Sequence, residues 1–116
     1  MAHRSSPGAP TMRLNQALTA LAVFAAPALA QEAPSTEAYR QANAAMHGGM
    51  AIDYTGNPDV DFARGMIPHH EGAVAMAKIV LQYGTDPEIR KLAESIVAAQ
   101  EGEISWMQGW LAKNGQ

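Results

Sequence analysis

The fold is decided by residues 57–84, NPDVDFARGMIPHHEGAVAMAKIVLQYG. Asn57 and Pro58 form a typical helix start, because an Asn side chain caps the first turn and Pro fits its first position. Gly84 is a typical helix stop. Between these residues the apolar side chains recur every three or four positions, which is the period of an α-helix. The stretch therefore predicts one long helix over residues 58–83.

A second long helix is predicted directly after a very short turn. Thr85 and Glu88 have the spacing of a capping box, and Pro87 lies in the first turn. This helix spans residues 87–113 and ends near Asn114. No segment shows the alternation of apolar and polar residues that marks a half-buried strand, so we predict an all-α protein.

A shorter helix precedes these two. It is predicted over residues 36–47, with Ser35 or Thr36 as its cap and with Gly48 and Gly49 ending it. Two long helices of matched length joined by a short turn form an antiparallel hairpin. We expect the short helix to pack across that hairpin; alternatively, two chains combine into a larger bundle.

Two adjacent apolar stripes run along the central helix. The first stripe consists of Phe62, Met66, His69, Ala73, Met76, Val80 and Tyr83. The second stripe consists of Ala63, Ile67, His70, Val74, Ala77 and Leu81. Because both stripes are apolar, we expect both histidines to face the interior, while Glu71 on the opposite side faces water.

The composition excludes several classes of function. The chain has 116 residues, which is one small domain. Its net charge of −3 with only eight basic residues argues against a surface that binds nucleic acid. It has no cysteine, so it holds no disulfide, thiolate metal ligand or cysteine nucleophile. Seven methionines are many for this length, and their sulfur atoms are the soft donors that remain.

Residues 1–30 are interpreted as a secretory signal peptide. They contain Arg4 and Arg13 near the start, an apolar run at about residues 17–26, and Ala28-Leu29-Ala30 as the cleavage pattern. Met12 is an alternative start of translation. We expect the mature protein to be periplasmic or secreted, without stable insertion in a membrane once the signal is cleaved. The predicted organisation is a signal peptide at 1–30, a flexible leader at 31–35 and a helical domain at 36–113.

Met66, His69, His70 and Met76 are the first candidates for chemistry. Met66 lies three and four residues before the two histidines, so the three side chains overlie one another across one helical turn. Met76 lies two turns beyond His69 on the same stripe. Thioether sulfur and imidazole nitrogen suit Cu(I) and, by analogy, Ag(I). Such a site would weaken below about pH 6.5, where histidine takes up a proton.

Further donors could complete this site. The supplementary candidates are Met46, His47 and Met50 at the end of the first helix and Met107 on the third. Gln100 and Glu103 on the third helix are the expected hydrogen-bond partners of the histidines. The alternative is that the histidines are ordinary core residues satisfied by those two side chains, and that the methionines fill gaps in the core.

Pro68 and the two tryptophans have structural interpretations as well. Pro68 removes a helical hydrogen bond, so it either kinks the central helix beside Met66 or marks a boundary between two short helices. Trp106 and Trp110 lie four residues apart, and we expect them to anchor the core or a dimer contact.

Two motifs carry a resemblance to a known family. They are Met-x-Pro-His-His at residues 66–70 and Gln-x-x-Glu-Ile-x-x-Met-x-x-Trp-Leu at residues 100–111. Over residues 59–111 the chain resembles the family known as domain of unknown function 305. The resemblance implies a ferritin-like helical bundle that is exported or tethered to a membrane, and some members are linked to copper binding and copper tolerance through Met and His. One motif copy and a short first helix favour self-association.

These observations lead to three functional hypotheses. The first is an exported protein that binds Cu(I) or Ag(I) without catalysis, as a buffer or shuttle. The second is a structural or interaction module that forms a homo-oligomer and binds no metal. A metalloenzyme is the third and is disfavoured, because the chain lacks the Glu-x-x-His pairs of di-iron bundles and the His-Glu-x-x-His motif of zinc proteases.

Overall fold

The computed structural model describes Gly8 and residues 31–114. Residues 31–114 contain three α-helices and no strand: α1 (Pro34–Met50), α2 (Pro58–Tyr83) and α3 (Pro87–Lys113). The prediction of an all-α fold is confirmed. Apart from Gly8, the predicted signal peptide lies outside the described residues. None of the three helices has the length and apolar character that crossing a bilayer requires.

The long helices begin and end where local signals predict. The side chain of Asn57 accepts hydrogen bonds from the backbone N–H groups of Asp59 and Val60, as an N-cap does. At α3 the predicted cap is wrong by one residue, because Asp86 rather than Thr85 accepts the bonds from the first turn. A carboxylate is at least as good a cap as a hydroxyl, and it favours the positive end of the helix dipole.

The bounds of α1 differ from the prediction at both ends. It begins at Pro34 after Ala33, with no side-chain cap, so neither Ser35 nor Thr36 serves that role. It also continues through Gly48 and Gly49 to Met50. The two glycines were expected to end the helix, but Gly49 serves a close contact with α2 instead.

α2 and α3 form the predicted antiparallel hairpin. A cluster of buried residues joins the start of α2 to the end of α3 and consists of Val60, Ala63, Met107 and Leu111. Trp110 packs against this cluster, as expected of a core anchor, whereas Trp106 is 67% exposed. At the other end, the guanidinium of Arg90 donates hydrogen bonds to the carbonyls of Leu81 and Gly84 and so holds the turn.

α1 lies alongside α2, and its Tyr39 lines a groove that α2 shares with Ile89 and Leu92 of α3. A Cβ added to Gly49 would lie 2.7 Å from Cβ of Pro68, and one added to Gly72 would lie 2.6 Å from Sδ of Met46. Within residues 31–114 the backbone of α1 does not approach α3. As predicted, a shorter N-terminal helix accompanies the hairpin, and its backbone contacts are with α2. The glycines explain its position, because they let the two helices approach closely.

This arrangement buries only one of the two stripes of α2. Ala63, His70, Val74 and Ala77 of the second stripe are buried against α3. The first stripe lies between α1 and α3 on one side of α2 and is largely exposed. Together with α3 it forms what we call the open face, which consists of Phe62, His69 and Met76 of α2 and Ile89, Leu92 and Trp106 of α3.

Candidate metal centre

His70 is the one candidate histidine that the hairpin buries. Its residue exposure is 7%, and its Nε2–H donates a hydrogen bond of 2.5 Å to Oε2 of Glu103. The contact follows from the antiparallel packing, which sets this turn of α2 against the middle of α3. An ionised carboxylate only accepts hydrogen bonds, so Glu103 fixes the proton of a neutral imidazole on Nε2. The lone pair is then on Nδ1.

Nδ1 of His70 is buried and has no hydrogen-bond partner. Gln100, the other expected partner, lies one turn before Glu103 on α3, but its buried Oε1 is also without a partner. A buried polar atom normally finds a partner, and each exception requires an explanation. A histidine whose one nitrogen donates to a carboxylate while the other presents a lone pair is the usual arrangement of a metal-binding histidine.

His69 faces away from this interface. It is exposed, and its ring centroid lies 6.2 Å from that of His70 with the ring planes at 59°. Consecutive helical residues point about 100° apart, so the two imidazoles diverge. The expectation that both histidines face the interior is therefore wrong for His69. Glu71 is exposed, as predicted.

Met66 lies between the core cluster, the end of α1 and the turn of α2 that carries His70. It is half-buried and packs against the core cluster that contains Met107. It also lines a groove of about 200 Å³ together with Met50 and Phe62. His70 follows it by four residues, which is one turn of α2. The structure thus brings the end of α1 to Met66, which was expected only if α1 folded against α2.

The other candidate donors lie elsewhere. Met46 is packed against Gly72 between α1 and α2. Met76 is 47% exposed and lines a groove near the turn with Leu92. His47 is exposed in the last turn of α1. The eight candidate ligands therefore do not form one cluster, and Met66 has the most potential donors around it.

Pro68 lies inside a continuous helix. α2 runs unbroken from Pro58 to Tyr83, so the interpretation of Pro68 as a boundary between two helices is wrong. Its side chain faces Gly49 of α1. Pro68 thus places the end of α1, and with it Met50, beside the turn that carries Met66.

The candidate metal ligands among the described residues are soft donors. Within residues 31–114 no three side chains of the His, Cys, Asp or Glu types lie close enough to share a metal ion. Hard cations such as Mg²⁺ and Ca²⁺ prefer several carboxylate and carbonyl oxygens. A site around Met66 and His70 would depend on thioether and imidazole donors, which fit Cu(I) and Ag(I).

Asp61 has a structural role that the sequence analysis missed. Its carboxylate accepts hydrogen bonds from the backbone N–H and the hydroxyl of Thr55, both 2.8 Å, and from the N–H of Gly56, 3.1 Å. The bond from the Thr55 backbone, together with these other donors, lowers the pKa of Asp61 below its usual value. The sequence contained one signal of this role. Asp61 follows Asn57 by four residues and so lies on the side of α2 that faces the preceding turn.

Two comparisons relate the chain to other proteins. A stretch of 53 residues is 40% identical to an uncharacterized protein of Acanthamoeba polyphaga mimivirus, over 46% of this chain. The match spans 35% of that relative's length. The sequence profile of a family described as a domain of unknown function, DUF305, matches residues 59–116, which include the whole of α3 and almost all of α2. The chain therefore belongs to the DUF305 family.

Proposed function

We propose that this protein binds a monovalent soft metal ion, Cu(I) in the cell and Ag(I) as its chemical analogue, and acts as an exported buffer or shuttle without catalysis. One observation carries the proposal. His70 is buried, its Nε2 is occupied by Glu103, and its Nδ1 has no hydrogen-bond partner. A metal ion at Nδ1 would use a lone pair that otherwise stays buried and unpaired.

Methionine sulfur supplies the other donors of the proposed site. Met66 lies one turn before His70, and helical side chains lean toward the N-terminus, so the His70 ring leans over the turn of Met66. Met50 and Met107 are the nearest further thioethers, since both are neighbours of Met66. We therefore rank Met66 and His70 as the principal ligands. Met50, Met107 and His69 are supplementary, and Met46, His47 and Met76 are peripheral.

The test is a titration of the purified protein with Ag(I), which needs no reductant, followed by Cu(I) under reducing conditions with a competing chelator. Methionine methyl and histidine ring signals are followed by NMR. We expect the signals of Met66 and His70 to shift first and to saturate at one ion per chain. Met66→Leu keeps the apolar volume and removes the sulfur, so we expect it to weaken binding at least tenfold while the protein stays folded.

Met46→Leu is the matched control. Met46 is also half-buried, but it packs against Gly72 on the other side of α2. We expect its variant to bind Ag(I) as the wild type does. If Met66→Leu and His70→Ala both bind as well as Met46→Leu, or if the wild type binds no ion against the chelator, the proposal is wrong.

A second candidate function is favoured by a different observation. Several large apolar side chains of the open face are exposed, which is typical of a surface that contacts another protein. In that case the protein is an interaction module, and the contact between His70 and Glu103 is structural. Absence of metal binding together with self-association would support this function over the first.

A further inference from the structure

The open face is an apolar surface on a molecule with a small core. Five of its side chains are between 47% and 67% exposed: Met76, Ile89, Leu92, Phe62 and Trp106. The buried apolar residues of the described chain are seven, three of them alanines, and none of the large side chains is fully buried. A helical domain of this size normally needs more buried apolar area or a partner chain.

One ion pair of the hairpin lies on its other side. Lys78 forms an ion pair of 3.3 Å with Glu101 on the back of α2 and α3. The open face carries the carboxylate of Glu103, which is already paired with His70, and that of Asp59 beside Phe62 and Trp106. The net charge of −3 disfavours a membrane surface as its partner. An apolar protein surface fits better.

Each end of the open face has a groove with exposed apolar side chains beside it. At one end Trp106 and Phe62 project beside a groove of about 370 Å³. At the other end Met76 and Leu92 line an apolar groove of about 290 Å³. A second copy turned by 180° about an axis that lies in the interface and runs across the helices would set each tryptophan end on the groove of its partner. A self-complementary surface of this kind produces a closed two-fold dimer.

The available area is close to what a stable dimer needs. Large apolar and aromatic side chains offer roughly 150–250 Å² each when fully exposed, so the five, which are between 47% and 67% exposed, together expose about 550 Å² per copy. Standard interfaces bury about 800 Å² per partner, and the half-buried Val80, Ile96 and Trp110 beside them supply further apolar area.

We propose that the open face is the interface of a homodimer and that its two-fold axis passes beside His69. His69 lies seven residues after Phe62 and seven residues before Met76, so it marks the middle of the face along α2. An axis through the middle brings the two His69 side chains together, although each is exposed in the single chain. The proposal requires no metal, and so it does not depend on the proposed function.

Cysteine cross-linking tests the position of the axis. The chain has no cysteine, so His69→Cys introduces a single thiol. We expect most of this variant to form a disulfide-linked dimer under mild oxidation in the presence of a metal chelator. Glu71→Cys is the matched control, since Glu71 is exposed on the opposite side of the same helix. It should stay largely monomeric on a denaturing gel.

Sedimentation velocity tests the face itself. The wild type should sediment as a dimer, and Leu92→Glu, which places a charge in the interface, should sediment as a monomer with unchanged helix content. Ala98→Glu adds the same charge to an exposed position of α3 away from the face, and it should remain dimeric. A monomeric wild type, a dimer that survives Leu92→Glu, or cross-linking that is as efficient through Glu71→Cys overturns the proposal.

Discussion

At the scale of single residues, His70 and Glu103 join the two long helices through one hydrogen bond. The side chain of His70 is 9% exposed and that of Glu103 is 63% exposed, so the histidine depends on the bond more than the carboxylate does. Water can solvate Glu103 when the bond is broken. It reaches His70 poorly, and so a loss of Glu103 leaves a buried imidazole nitrogen without a partner.

We therefore expect Glu103→Ala to lower the free energy of unfolding by about 1–2 kcal/mol. Glu101→Ala is the matched control on the same helix, because it removes only an exposed ion pair with Lys78, worth about 0.2–1 kcal/mol. Both variants gain the same helix propensity from alanine. Urea unfolding of the two variants provides the measurement, and equal losses would contradict the special role of Glu103.

At the scale of elements, the packing of α1 on α2 depends on glycine. An added Cβ at Gly72 would lie within 3 Å of three Met46 atoms, including the Cβ of Met46, which cannot move without the backbone. Gly102 lies in α3, where an added Cβ would meet nothing within 4 Å. Replacing glycine with alanine therefore has opposite consequences for stability at the two sites.

We expect Gly102→Ala to stabilise the protein by about 0.5–1 kcal/mol, because alanine favours the helix over glycine. Gly72→Ala has the same intrinsic gain, but overpacking against Met46 costs about 1–3 kcal/mol, so the net effect is a loss of stability. Thermal unfolding of both variants measures the difference. If Gly72→Ala is as stable as Gly102→Ala, α1 does not pack as described.

The segment between α1 and α2 has its own pH dependence, through Asp61. The pKa of Asp61 is lowered in the folded protein. Its bonds to Thr55 and Gly56 therefore contribute their full stabilisation at any pH above the usual pKa of aspartate, about 3.9. This contribution is lost as the pH falls through the lowered pKa. We expect Asp61→Asn to be less stable than the wild type at neutral pH.

The difference in stability between wild type and Asp61→Asn should shrink steadily as the solution is acidified below about pH 4. Urea unfolding over a pH series gives this difference directly. Asp59→Asn is the control, because Asp59 lies in the same first turn but makes no side-chain bond to the preceding segment among the described residues. A difference that does not change with pH would contradict the assigned role.

At the scale of the whole molecule, a small core and an exposed apolar face together predict that folding and association are linked. If the native state is a dimer, each tenfold rise in protein concentration adds about 1.4 kcal/mol of stability per mole of dimer. We expect the urea midpoint of the wild type to rise with protein concentration, and that of Leu92→Glu to be lower and independent of it. A concentration-independent wild type would show that the chain folds alone.

Local signals explain why much of the fold could be predicted. The predicted bounds of the two long helices are correct because Asn57, Pro58, Gly84 and Pro87 act on the turn in which they lie. The predicted end of α1 was wrong because a glycine such as Gly49 can either end a helix or allow two helices to approach closely. Only the position of Pro68 on the neighbouring helix shows which use applies.

The sequence by itself determined the helical class, the hairpin, the family motifs and the set of soft donors, since each of these depends on residue type and short spacing. Only the tertiary structure decided that His70 turns to Glu103 while His69 stays exposed, and that Met50 reaches Met66 while Met46 does not. Both stripes of α2 are apolar, so local periodicity does not distinguish them. The choice is made by α1 and α3, which flank the first stripe and leave it largely exposed.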